Sequence, residues 1–140
     1  MGLTHVRARI SNPARPRSAS TQRFLVDSGA VYSVVPGTLL RRLGIRPHSS
    51  RTFILADGTE ITRPIGDATF RIGDNLGSSP VIFGEKDDVT LLGAVTLEAL
   101  GMMLDPLKPE RIKHLGAAVI CLLLTLLSII VSVIHGLMLR

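Results

Sequence analysis

The chain has 140 residues, which is enough for one domain, and 46% of them are hydrophobic. It carries 16 Lys and Arg against 11 Asp and Glu, a net charge of +5, and a single Cys. One Cys excludes an intramolecular disulfide scaffold and a Cys-rich zinc or iron–sulfur site. The four His residues lack any metal-ligand spacing, so the sequence predicts neither a metal nor a cofactor.

The first part of the chain has the pattern of short strands separated by turns. The predicted strands are Leu3–Ile10, Thr21–Val26 and Val31–Val35. A turn is expected at Ser11-Asn12-Pro13, where three turn-forming residues follow one another. Pro36 suits a first helical turn, and Gly37–Leu43 is predicted to be a helix that Gly44 ends.

The middle of the chain contains a hairpin signal. The segments Thr52–Ala56 and Thr59–Thr62 flank Asp57-Gly58, a dipeptide that favours a tight turn between two strands. A short helix is predicted at Val95–Leu100. Further strands are predicted at Ala68–Ile72, Pro80–Phe83, Val89–Leu92 and Met102–Leu104. Many short strands at this spacing favour an all-β fold, a small closed or partly closed β-barrel with one or two short helices. Asp87 and Asp88 lie in a polar connection, where a solvated loop is expected.

The C-terminal segment 115–139 contains 25 residues without Asp, Glu, Lys or Arg. As a helix it would be about 37 Å long, enough for a hydrocarbon core of about 30 Å. We therefore expect a soluble domain at 1–107, a basic juxtamembrane linker at 108–114 and a transmembrane helix at 115–139. The alternatives are a buried helix of a soluble core, and a soluble enzyme whose tail does not insert.

The basic residues predict an orientation. Three of them, Lys108, Arg111 and Lys113, precede the apolar segment and only Arg140 follows it, which favours a single-pass membrane protein with a cytoplasmic N-terminal domain. If the tail does not insert, the protein is expected to be cytoplasmic. The first 23 residues also hold five Arg and no acid. Arg7 and Arg9 alternate with apolar residues as on a solvated strand face, which is favoured over a patch for nucleic acid or anionic lipid. No aromatic residues interleave with the arginines, so no nucleic-acid partner is predicted.

A candidate catalytic motif follows the second predicted strand. The residues Phe24–Val26 lead to Asp27, Ser28, Gly29 and Ala30. Alone, Asp-Ser-Gly also describes an ordinary turn. A carboxylate at the end of a buried strand, held by backbone donors, can activate water as a general base if a second acid shares its proton. The motif resembles the active-site signature of the retropepsin-like aspartic proteases.

Other pieces that resemble this family follow in its order. The segment Leu55-Ala56-Asp57-Gly58-Thr59 is similar to the flap hairpin. The motif Leu91-Leu92-Gly93, with the helix Ala94–Leu100 after it, resembles the second apolar-apolar-Gly motif. The segment Leu104-Asp105-Pro106 is similar to the strand that closes the domain in bacterial members. The resemblance covers the chain from Met1 to about Pro106.

The resemblance implies an aspartic endopeptidase that works as a homodimer on a peptide or protein substrate. Because the chain has one Asp-Ser-Gly-Ala, two copies of Asp27 would have to face each other and share a proton. Ser28 would brace the two active-site loops of the dimer by hydrogen bonds, and each of these loops also contains Gly29 and Ala30. The hairpin residues Ala56, Asp57, Gly58 and Thr59 would close over the peptide. The alternative is a catalytically silent module of the same fold that binds peptides or dimerises.

Overall fold

The computed structural model describes residues 4–104, 112–114 and 129. These residues form a mostly-β fold with two short helices. The elements are β1 His5–Asn12, β2 Arg15–Val26, β3 Ser33–Pro36, α1 Gly37–Arg42, β4 Ser49–Ile54, β5 Glu60–Ile72, β6 Asn75–Gly84, β7 Leu91–Leu92, α2 Ala94–Ala99, β8 Met102–Leu104 and β9 Ile112–His114. The predicted class, all-β with one or two short helices, is confirmed at this level.

Seven strands form one sheet in the order β1-β2-β7-β3-β6-β5-β4, and β8 pairs with β9 in a second sheet. Strand β1 also pairs with β5, with Arg9–Ser11 opposite Thr69–Arg71, so it has a neighbour on each side. The pairs β2–β7 and β3–β6 are parallel, whereas the long hairpins β1–β2, β4–β5 and β5–β6 are antiparallel. The two parallel pairs bring the ends of distant segments together beside β7.

The core consists of the inward residues of these strands and the apolar faces of the helices. Alternating residues on β1 follow this pattern, since Ala8 and Ile10 are buried while Arg7 and Arg9 are exposed. Large side chains from other strands complete it, and the rings of Phe24 and Phe70 meet edge to face at 6.0 Å. Buried aromatic residues of this kind stabilise a core by about 3–5 kcal/mol relative to Ala.

Three strands, β2, β5 and β6, are considerably longer than the sequence predicted. Strand β2 begins at Arg15 rather than Thr21, so the β1–β2 turn is confined to two residues. The side chain of Asn12 closes this turn, because its Oδ1 accepts a hydrogen bond from the Ala14 N–H at 2.9 Å. Its Nδ2 donates to the Leu43 carbonyl at 3.1 Å and so ties the turn to the end of α1. Strand β2 therefore has twelve residues, whereas the sequence predicted six.

The predicted strands Thr59–Thr62 and Ala68–Ile72 are parts of one 13-residue strand, β5. Pro64 lies between them, opposite Ser50 of β4. The pairing of β5 with β6 begins only at Ile65, so at Pro64 strand β5 is paired with β4 alone among the described strands, and a residue that lacks an N–H is tolerated. The separation into two strands was therefore wrong. The hairpin from β5 to β6 turns at Gly73, whose φ of 58° suits glycine.

The predicted helices lie close to their expected positions. Helix α1 spans Gly37–Arg42, and Gly44 follows it with φ 76°, as a C-terminal glycine is expected to do. Helix α2 spans Ala94–Ala99 and begins one residue earlier than predicted. Among the described residues, no helix is long and apolar enough to cross a membrane. Apart from position 129, the predicted span 115–139 lies outside the described residues, as do Asp105 and Pro106.

Candidate active site

Asp27 lies directly after β2, where that strand runs parallel to β7. Its backbone N–H donates to the Leu92 carbonyl at 3.0 Å, which continues the pairing of Val26 with Leu92. One residue pair earlier, the Leu25 N–H donates to the Thr90 carbonyl at 3.1 Å. The main chain of Asp27 is thus fixed by the second apolar-apolar-Gly motif, as two distant segments of the sequence meet here.

The loop after Asp27 is a turn closed by its own carboxylate. The Oδ1 atom of Asp27 accepts a hydrogen bond from the Gly29 N–H at 2.9 Å, and the Ala30 N–H donates to the Asp27 carbonyl at 3.3 Å. A Cβ on residue 29 would lie 3.1 Å from that same Oδ1, so a side chain there would crowd the carboxylate. Glycine therefore keeps the backbone donor close to the acid.

In the single chain this loop faces solvent. Val26 is buried, whereas Asp27, Ser28 and Gly29 are exposed. The expected backbone donor is present, and the strand that leads to the acid is buried. The side chain of Ser28 makes no hydrogen bond within the described part of the chain, and its bracing of the two loops of a dimer stays a prediction. The carboxylate and the hydroxyl are thus both free to meet another molecule.

Gly93 allows the two motifs to pack against each other. A Cβ at this position would lie 2.5 Å from the Tyr32 carbonyl carbon and 2.9 Å from the Ala30 carbonyl oxygen. The first N–H groups of α2 bind the same segment, since Ala94 donates to the Ala30 carbonyl at 2.8 Å and Val95 donates to the Val31 carbonyl at 3.1 Å. The predicted motif Leu91, Leu92 and Gly93 therefore lies directly against the loop that follows Asp27.

A buried hydroxyl network supports this contact, and no sequence motif indicated it. The Oγ1 atom of Thr96 lies 2.6 Å from the Ser33 Oγ and 2.8 Å from the Ser79 Oγ. The Ser33 Oγ also accepts a hydrogen bond from the Gly93 N–H at 3.0 Å. Thr96 and Ser33 are completely buried and Ser79 nearly so. The network joins β3, β6 and α2 behind the candidate active-site loop.

An apolar cavity of about 740 Å³ lies next to the loop. Its walls come from the segment after Asp27, the β4–β5 hairpin, the end of β6 and the connection before β7. Asp27 is not among the lining residues, but Ala30 is. The other apolar and aromatic lining residues are Val31, Tyr32, Val34, Phe53, Leu55, Ile61, Ile82, Val89 and Leu91. The cavity can therefore take an apolar side chain close to the carboxylate.

The turn of the β4–β5 hairpin is the predicted Asp57-Gly58. Gly58 has φ 84°, and the Leu55 N–H donates to the Thr59 carbonyl at 2.8 Å. The Thr59 N–H donates to Asp57 Oδ1 at 2.9 Å, and this hydrogen bond lowers the pKa of the Asp57 carboxyl. Asp57 therefore closes the turn, and Ala56–Thr59 form an exposed tip.

The hairpin is tied to the active-site loop by an aromatic contact that sequence reasoning missed. Nη1 of Arg51 donates a hydrogen bond to the Tyr32 hydroxyl, and its guanidinium carbon lies 5.3 Å from the centre of the Tyr32 ring. The Phe53 ring meets Tyr32 edge to face at 6.2 Å. Arg51 and Phe53 both belong to β4, so the contact holds the first strand of the hairpin over the cavity.

An ion pair holds the opposite wall of the cavity. Nε of Arg63, on β5, lies 2.9 Å from Asp88 Oδ2, and its Nη2 lies 3.3 Å from Glu85 Oε2. The Arg63 side chain is 13% exposed and that of Asp88 26%, so the predicted solvated loop is wrong for Asp88. The hydrogen bond from Arg63 lowers the pKa of the Asp88 carboxyl below its ordinary value.

Comparison with known proteins identifies the class. The family model described as aspartyl protease matches residues 6–104, and the chain belongs to this family of retropepsin-like aspartic proteases. A solved structure of EIAV protease in complex with the inhibitor HBY-793 is 18% identical with a TM-score of 0.52, covering 74% of this chain and 93% of that one. The solution structure of simian foamy virus (mac) protease is 20% identical with a TM-score of 0.49, covering 68% and 92%. A search of curated protein sequences found no match.

The structural similarity concerns the fold, and the roles of individual residues are a separate question. The structure brings together the predicted segments 27–30 and 91–93, and each of them contributes a residue to the cavity wall. The predicted hairpin tip 56–59 follows Leu55, which also lines the cavity. Within residues 4–104, 112–114 and 129, no three His, Cys, Asp or Glu side chains are grouped to hold a metal ion.

Proposed function

We propose that the protein is an aspartic endopeptidase whose catalytic unit is a homodimer with Asp27 as the catalytic acid and base. This proposal rests on one combination of facts. The chain contains a single Asp-Ser-Gly-Ala, and the Asp27 residue of that motif is exposed to solvent directly after β2. One carboxylate cannot both accept a proton from water and donate one to a carbonyl. A second Asp27 supplies the missing group.

The chemistry follows from the proximity of two like charges. Two carboxylates about 3 Å apart do not both ionise, so the pair shares one proton. The ionised member takes a proton from a water molecule between them, and the protonated member polarises the carbonyl of the scissile peptide bond. In this dimer Ser28, whose side chain has no hydrogen-bond partner among the described residues, would donate and accept hydrogen bonds across the interface.

The surroundings of Asp27 suit an extended peptide. The apolar cavity next to Ala30 accommodates an apolar side chain, and the β4–β5 hairpin lies over it, so that closure would exclude water from the reacting bond. The additional pairing of β1 with β5 supports a closed barrel. A closed barrel would hold the strands that surround the site in a rigid arrangement. We further propose that segment 115–139 anchors the protein in a membrane and leaves the domain on the cytoplasmic side.

The proposal is tested by measuring the cleavage of a peptide library by the full chain in detergent micelles, at mildly acid pH. Asp27→Asn is nearly isosteric, removes the ionisable group and is expected to lower kcat by about 100-fold to 10,000-fold. Asp74→Asn, the same change at an exposed position in the turn between β5 and β6, serves as the matched control and is expected to remain active. Equal cleavage by wild type and Asp27→Asn would remove Asp27 from the mechanism and contradict the proposal. Cleavage by none of the proteins would favour a silent peptide-binding module.

A further inference from the structure

A second hollow, of about 320 Å³, lies on the solvent face of the sheet where β1, β5 and β6 run side by side. It shares no lining residue with the cavity beside the Asp27 loop. The polar side chains that line it come from these three strands and are Arg9, Ser11, Thr69, Arg71 and Ser78. No carboxylate is among the lining residues, which sets this hollow apart from an ordinary mixed-charge surface.

The strand register arranges these side chains in two rows. In the first row Arg9 of β1 lies directly opposite Arg71 of β5. In the second row Ser11 lies opposite Thr69, and Thr69 lies opposite Ser78 of β6. Residues two apart on a strand point to the same face, so both rows face the hollow. Two guanidinium groups and three hydroxyl groups are therefore collected on one small area.

The charge in the first row is not compensated. Like charges directly opposite each other on neighbouring strands destabilise a sheet. Among the described residues, neither Arg9 nor Arg71 forms an ion pair, and the only side-chain hydrogen bond of the two goes from Arg9 Nη2 to the Pro16 carbonyl at 3.4 Å. A second opposed pair, Arg7 and Arg23, extends the positive surface along β1 and β2. The sheet thus retains repulsive contacts that an anion would relieve.

The second row offers three hydroxyl groups. Ser11 is 8% exposed as a residue, and its hydroxyl, which makes no hydrogen bond within the described part of the chain, is reached by solvent in the hollow. It lines the hollow, where a ligand can reach it. The Thr69 and Ser78 hydroxyl oxygens lie 2.7 Å apart, so one donates to the other and the second proton stays available. The row therefore presents at least two hydroxyl donors.

We propose that this hollow is a binding site for a phosphate group. A tetrahedral oxyanion accepts hydrogen bonds from forked guanidinium groups on one side and from hydroxyl groups on the other, which is the donor set that Arg9, Arg71 and Ser11 provide. Binding would neutralise the repulsion between the two arginines and would add a hydrogen bond from the Ser11 hydroxyl. The phosphate can belong to a soluble anion or to the headgroup of a phospholipid.

The test measures thermal unfolding of the full chain in micelles of an uncharged detergent at neutral pH. Titration with inorganic phosphate is compared with sodium chloride at equal ionic strength, because chloride reports only general screening. Phosphate is expected to raise Tm beyond the chloride value. Arg9→Gln and Arg71→Gln are each expected to weaken the apparent phosphate affinity by about tenfold or more, and Ser11→Ala by a few-fold. The exposed Arg42→Gln on α1 has the same change of charge and is expected to leave the affinity unchanged.

The same Arg variants also test the repulsion between the two arginines. Without phosphate, Arg9→Gln and Arg71→Gln are expected to be as stable as wild type or more stable, because they remove the cross-strand repulsion. An equal effect of chloride and phosphate, or an unchanged phosphate response in both Arg variants and Ser11→Ala, would overturn the proposal.

Nanodiscs of phosphatidylcholine with and without phosphatidic acid identify the source of the phosphate. A rise in Tm with phosphatidic acid that Arg71→Gln abolishes assigns the site to a lipid, and a response to inorganic phosphate alone assigns it to a soluble anion.

Discussion

The buried hydroxyl of Thr96 is expected to stabilise the fold more than any exposed hydroxyl of the same chain. Thr96→Val keeps the shape of the side chain and removes the oxygen that lies 2.6 Å from Ser33 Oγ and 2.8 Å from Ser79 Oγ. Each hydrogen bond contributes about 1 kcal/mol, and a buried hydroxyl left without a partner costs about 1–3 kcal/mol. Because Ser79 would lose its partner and Ser33 would keep only the Gly93 N–H, we expect a loss of about 2–4 kcal/mol in the free energy of unfolding.

Urea denaturation of the full chain in micelles measures this loss, with Thr62→Val as the matched control. Thr62 hydrogen-bonds to Thr52 at 2.9 Å in the same way but is exposed, so water replaces the lost partner and the expected loss is below about 0.5 kcal/mol. In a double-mutant cycle, Thr96→Val with Ser79→Ala is expected to show a coupling of about 0.5–3 kcal/mol. Equal losses at Thr96 and Thr62, with no coupling to Ser79, would refute the reasoning.

Three further predictions concern contacts around the same loop. Gly93→Ala places a Cβ 2.5 Å from the Tyr32 carbonyl carbon and is expected to lower the free energy of unfolding by about 1–3 kcal/mol. Urea denaturation measures this loss, and a variant as stable as wild type would contradict it. The Arg63 hydrogen bond depresses the pKa of Asp88, so the stability that this ion pair contributes is present above the ordinary value of 3.8 and is lost as pH falls through the lower folded value. Arg63→Met is therefore expected to be less stable than wild type at pH 7 and to approach it below pH 3.8, and a constant difference across pH would contradict this account. Arg51→Met removes the hydrogen bond to Tyr32, and amide exchange in the hairpin is expected to become faster, while unchanged exchange would show that the contact does not hold it closed.

Local sequence signals indicated the parts of the site that are continuous in the chain. The apolar residues before Asp27 predicted a strand that ends there, and Asp57-Gly58 predicted a hairpin turn that Gly58 makes with positive φ. Both signals are local because a strand end and a tight turn are set by neighbouring residues. The length of β5 was missed, since Pro64 interrupts the strand pattern although β5 continues through it, paired among the described strands with β4 alone at that position.

The contacts between distant segments could not be predicted in this way. Arg63 and Asp88 are 25 residues apart, and Thr96 is 63 residues from Ser33, so no periodicity links them. Arg63 meets Asp88 because β5 pairs with β6, and Thr96 meets Ser33 because α2 packs against β3, so both contacts depend on the sheet order. Arg9 was predicted on a solvated strand face, but its position opposite Arg71 and their shared hollow were not.

The central claim is that two chains must each contribute an Asp27, and mixing experiments test it most directly. Wild type is reconstituted with an equal amount of Asp27→Asn, so that random pairing leaves about half of the wild-type chains in wild-type pairs. The account predicts that peptidase activity falls to about half of that of the same amount of wild type alone, and to about a quarter with a threefold excess of Asp27→Asn. Activity that stays constant as Asp27→Asn is added would mean that each chain works alone, and would contradict the account.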